Sequence, residues 1–218
     1  MIQNKQAEYF KGKRIIFMLF SFLSFLLFSC TESKIQSNST PKEDPIEVVK
    51  ERMQAFSEKD YTKLGELLYT IDFKVKTDNI NDFEDGYIPW ADLEKPEQDL
   101  PKLYGKDEIV IKDTSITIII DYPLTVPYKF NLTSKKGFTR GQLLTEISKH
   151  YYLLYQEEEN TATIKTIPPN ERTTMYNINE TNGKYDIWGH DIADLDMSQI
   201  MIYKTETGEI VLVPGIES

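Results

Sequence analysis

The chain has 218 residues, with 35 acidic side chains against 25 basic ones and a formal charge of −10. That balance excludes the basic footprint on which nucleic acid or an anionic headgroup surface would settle. The only cysteine is Cys30, so disulfides, thiolate metal sites and a cysteine nucleophile are excluded from everything after it.

From Ile15 to Phe28 fourteen residues carry no charge; as a helix they cover roughly 21 Å of a hydrocarbon core about 30 Å thick. That is short for a span. Lys11, Lys13 and Arg14 precede the run and the small Ser29 closes it, which is the order of an export leader. An uncleaved N-terminal anchor is the alternative. LLFSC, residues 26–30, resembles the lipobox of bacterial lipoproteins. The resemblance implies cleavage before Cys30, a diacylglycerol thioether on its sulfur and N-acylation of the new terminus. Several acyl chains on one residue anchor stably, where one alone is marginal. The membrane would then be a partner through Cys30 only, with residues 1–29 as the signal peptide. Thr31 and Glu32 resemble the residues that follow the lipid site in lipoproteins passed on to the outer membrane.

Residues 30–44, CTESKIQSNSTPKED, are polar and aperiodic and read as a tether. Asp44 and Pro45 supply an N-cap and a proline for the first helical position. Ile46, Val49, Met53 and Phe56 then recur at three and four residues, one face of an amphipathic helix. A second short helix is expected over 61–69, so 45–77 reads as a helical pair. Its opening is superficially similar to cystatin-like and nuclear-transport-factor-like folds. Residues 78–107 are acidic and irregular, docked by Tyr87, Ile88 and Trp90.

The α+β pattern is clearest over 108–218. ITIIIDY (116–122) has the β-branched run of a strand buried on both faces, and YKFNLT (128–133) alternates; PLTVP joins them as a hairpin. Thr139 and Gln142 form a capping box. It opens a long helix whose apolar face is Leu143, Leu144, Ile147, Tyr151, Leu154 and Tyr155. QIMIYK and EIVLVPGI flank the turn TETG as another hairpin. The expected fold is a long helix laid on a mostly antiparallel sheet, β-grasp-like, preceded by the helical pair. Residues 45–218 form one globular unit in this reading.

Three clusters suggest chemistry. In NETNGKYDIWGHDIADL (179–195), Asn182-Gly183 is a turn dipeptide tolerant of positive φ, and His190, Asp191 and Asp194 follow beside Trp188. With His150 they would suit zinc or manganese, although histidine and aspartate also cap turns for purely local reasons. Glu157, Glu158 and Glu159 oppose the macrodipole at a helix C-terminus, at about 0.3–1 kcal/mol each. A cation, Arg140, Arg172, a basic partner or fraying would offset that. Asn81, Phe83, Asp85, Gly86 and Asp92 follow EF-hand spacing, but Phe83 stands where an oxygen ligand is required. No GxSxG or phosphate-cradling glycine loop is present, and no cofactor is implied. Thirteen tyrosines and two tryptophans supply rings for a core or for a peptide or glycan groove.

GYIPW, IIIDYPLTVPYKFNL, GFTRGQL, ISKHYYLLYQEEE and GKYDIWGHDIADL together resemble an uncharacterised family of predicted lipoproteins, chiefly from Bacteroidota. The resemblance spans most of the chain after residue 85. It implies an envelope location and a common fold, and no established activity. Asp186 stands where that family's commoner GKYGIWGHDI has glycine. Three function classes follow: a lipid-anchored binding or scaffolding domain for a protein or glycan; an envelope hydrolase using His190 with Asp191 or Asp194, metal-assisted or not; and an acidic inhibitor-like or immunity protein.

Overall fold

The computed structural model describes residues 45–173 and 180–218; Cys30, the tether and the leader lie outside them. Pro45–Ser57 is helix α1. Its Phe56 packs on the core, the ring meeting Tyr122 edge-on at 4.8 Å. Met53, expected on the same buried face, is half exposed. The expected second helix is a single 3-10 turn, Tyr61–Leu64, and the chain then enters strand β1, Glu66–Asp72. Gly65 makes the break: it sits at φ +130°, and a Cβ there would lie 2.1 Å from the Lys204 carbonyl. Helix cannot pass that point.

The acidic segment is more ordered than its composition suggests. Strand β2 (Val75–Lys76) pairs with β3 (Tyr87–Ile88), and β4 (Ala91–Asp92) pairs with the sheet. Its deepest anchors are Ala91 and Leu93, both fully buried; Trp90 stays partly exposed against Phe83. Pro96 opens a four-residue helix, α2 (Pro96–Asp99), where a missing N–H costs nothing. Strand β5 (Ile109–Ile111) follows.

β6 (Ser115–Ile120) and β7 (Tyr128–Thr133) form the first hairpin. A short β8 (Phe138–Thr139), paired with β5, leads into α3, Arg140–Thr161. Both halves of the Thr139–Gln142 capping box are present. β9 (Asp196–Lys204) and β10 (Ile210–Glu217) form the second hairpin. The sheet runs β1-β9-β10-β6-β7 with β10 and β6 parallel at its centre and the other neighbours antiparallel. Two hairpins joined parallel at the middle under one long helix is the expected β-grasp-like arrangement, extended by β1.

Leu143, Leu144, Ile147, Tyr151 and Leu154 of α3 are wholly buried in one cluster with Ile118, Ile120, Ile200 and Leu212 of the sheet. Each such Leu or Ile contributes about 1.5–3 kcal/mol relative to exposure. The opposite face is covered more thinly: Ile119, Tyr203, Val211 and Val213 lie under Tyr61 and Leu64. Among the described residues no helix is long and apolar enough to cross a membrane.

Candidate functional site

His190 sits on a packed turn. Its Nε2 is 2.8 Å from the Tyr122 hydroxyl, which is 2.7 Å from Ser218 Oγ; its carbonyl accepts the Tyr155 hydroxyl at 2.8 Å. Trp188, a candidate binding residue by its place beside His190, is 2% exposed and packed edge-on against Tyr122 at 5.3 Å. Asp191 is held by Arg172 through two bonds, Nη1 at 2.5 Å and Nη2 at 3.0 Å. Asp194 accepts the Asp191 N–H at 2.9 Å, a cap of the turn at Ile192–Asp194. His150 belongs to another neighbourhood, stacked on Phe130 at 3.5 Å with Nδ1 2.7 Å from the Tyr128 hydroxyl. Burial holds both imidazoles below their ordinary pKa. Among the described residues no three histidine, cysteine or carboxylate side chains are arranged to hold a metal.

The three glutamates at the end of α3 neither fray nor meet Arg140 or Arg172. Glu158 is 1% exposed and accepts the N–H groups of Gly183 and Tyr185, each at 2.7 Å, and the Thr181 hydroxyl. Burial raises its carboxyl, but these bonds, with that from Ile187 N–H, outweigh it and hold the group below its usual range. Glu157 takes Lys184 Nζ at 2.6 Å and the Tyr185 hydroxyl. Glu159 lies 3.8 Å from Lys165 Nζ. The loop 181–187 thus supplies the donors that the helix end lacks. Gly183 is required for closeness, not for positive φ: a Cβ would meet Glu158 at 2.7 Å.

The candidate calcium positions are also occupied by local structure. Asp92 Oδ1 accepts the N–H of Glu94 and of Lys95, and Asp85 Oδ1 accepts that of Tyr87. Asp92, Asp99, Asp196 and Glu217 instead form a carboxylate cluster at the end of β9. Burial, then repulsion from Asp92, Asp99 and Glu217, pushes Asp196 up to about 6.

The feature that the residue pattern did not single out is an open groove of about 650 Å³ between β1 and β5. Tyr69, Tyr87 and Tyr104 line it, with Asp72, Glu108 and Arg140. Arg140 is its fixed point. Nε donates to the Asp72 carbonyl at 3.0 Å, and Nη1 donates to the carbonyls of Tyr104 and Gly105 and to Glu108 Oε2, all within 3.0 Å. Nη2 bonds nothing among the described residues. A signal for this site is present in the sequence: a cation at the first position of a helix opposes the macrodipole, so Arg140 needs acceptors from elsewhere. No family model, curated protein or solved structure matches the chain.

Proposed function

We propose that the chain is an envelope lipoprotein, held by acyl groups on Cys30, whose domain binds a partner and does not transform one. The groove between β1 and β5 is the binding surface. The observation that carries the reading is that groove, roomy and lined by three tyrosines, while His190 is engaged by Tyr122 on a packed turn. A hydrolase reading with His190 and Asp191 or Asp194 finds less support, since Asp191 is engaged by Arg172. The inhibitor-like reading draws support from the carboxylates of the same groove.

Mass spectrometry of the native protein tests the anchor: a diacylated Cys30 at a new N-terminus is expected, and an intact Met1 or a bare thiol overturns it. For the binding surface, the detergent-purified chain is exposed to envelope extract. Wild type and Lys129→Ala, altered on the far edge strand β7, are expected to retain the same partner. Tyr104→Ser, at a ring 57% exposed, is expected to lose it; equal retention by all three overturns the assignment.

A further inference from the structure

Resting on the reading of this groove as the binding surface, we propose that its occupant is an extended peptide segment bearing lysine or arginine, which adds as a strand to the outer edge of β1. Among the described residues β1 pairs, within the sheet, only with β9. Phe73, just past β1, donates its N–H to Ser198 at 2.8 Å, and the register continues without a shift through Ile71↔Ile200. Hydrogen-bonded pairs alternate along an antiparallel ladder. Phe73 and Ile71 therefore turn their amides toward β9, while Asp72 and Thr70 turn theirs away. The Asp72 carbonyl marks that direction, because it accepts Arg140 Nε on the groove side. Across the groove, β5 pairs with β8 through Ile109 and Ile111. The carbonyl of Val110, between them, accepts the Tyr69 hydroxyl at 2.9 Å. An edge with outward amides beside a groove is the feature that strand addition uses.

Charge selects the kind of peptide. Asp72 and Glu108 have side chains 64% and 60% exposed, and Asp85, which also lines the groove, is exposed. Of the cations, Arg140 is 10% exposed and already carries four bonds, and Lys74 lies 3.9 Å from Asp72. The charge that meets solvent is thus mainly carboxylate. Tyr87 and Tyr104, edge-to-face at 5.8 Å, add ring surface that attracts ammonium and guanidinium groups. Arg140 Nη2 is left to donate to a carbonyl of the added strand.

The test uses the full chain in detergent micelles and four labelled hexapeptides: Lys-Val-Lys-Val-Lys-Val, two forms of it N-methylated at alternate amides in either register, and Glu-Val-Glu-Val-Glu-Val. The basic peptide is expected to bind and to slow hydrogen exchange at the Thr70 amide. N-methylation in one of its two registers is expected to weaken binding about tenfold or more, and the acidic peptide is expected not to compete. Asp72→Asn is expected to weaken the basic peptide roughly threefold at low salt. Equal binding of both N-methylated registers overturns strand addition while leaving the groove reading intact if Tyr104→Ser still weakens it. Binding indifferent to Tyr104→Ser overturns the groove reading as well. Preference for the acidic peptide, or no binding by any of the four, overturns the proposal.

Discussion

Glu158 and Tyr185 are joined by a bond of 2.7 Å from backbone N–H to carboxylate, and it fastens the end of α3 to the turn that carries Trp188 and His190. Gly183 N–H takes the other oxygen. Both oxygens are acceptors, so an amide cannot substitute. Glu158→Gln is expected to cost about 3 kcal/mol in urea unfolding, with hydrogen exchange rising over residues 181–190. The carboxyl is held below its ordinary 4.5, so its contribution is complete above that pH and is lost as pH falls through the lower folded value. The variant lacks that acid loss.

Gly183→Ala is expected to destabilise the same junction by about 2–3 kcal/mol. The methyl would meet the Glu158 carboxyl group and main-chain oxygen together at 2.7 Å. Guanidinium unfolding checks it. Gly208→Ala, at φ +87° with no neighbour within 4 Å, isolates backbone strain and is expected to cost only about 1 kcal/mol.

Asp196 acts in the opposite sense to Glu158. Its folded pKa is raised from 3.8 to about 6, so the protonated form favours the fold. The favourable term is present at low pH and is lost as pH rises through about 6. Asp196→Asn is expected to stabilise the protein at pH 7 by about 1 kcal/mol after allowance for solvent screening, and to do little at pH 4. The histidines run the other way: their lowered values give a term complete above 6.5 that fades on acidification. Melting temperatures between pH 5 and 7 should therefore fall more steeply on acidification in D196N than in wild type.

Asp186 adopts φ +52° and its Oδ1 lies 3.7 Å from Arg52 Nη1. Glycine would relieve the backbone cost but loosen the unfolded chain and remove an ion pair of about 0–1 kcal/mol. These effects nearly cancel, so Asp186→Gly is expected within about 0.5 kcal/mol of wild type. Asp186→Val, β-branched in the left-handed region, is expected to lose about 2 kcal/mol. A thermal-melt pair compares them.

The legible parts of this fold are those whose residues act through period alone. β6 announces burial on both faces by its isoleucines, β7 by alternation, and α3 by the Thr139–Gln142 box and a stripe of large apolar residues. The segment after Tyr61 was opaque because nothing local reveals that Gly65 must pass within touching distance of Lys204, a contact made by residues far apart in the chain. The same holds for the site. Glu157, Glu158 and Glu159 stood out as an anomaly, yet the donors to Glu157 and Glu158 come from a loop that only folding brings near. His150 and His190 are separated by the tertiary arrangement, one on α3 against Tyr128 and Phe130 of β7 and one on a turn against Tyr122. The groove is assembled from β1, β5 and the start of α3, and no short motif spans those.

The parallel pairing of β6 with β10 at Thr117↔Val211 and Ile118↔Leu212 has a consequence for biogenesis. A polypeptide that emerges from its N-terminus delivers the isoleucine ridge of β6 long before the strand that covers it is made. In the interval one side of that ridge is sticky and uncovered, which leaves nascent copies prone to associate with one another.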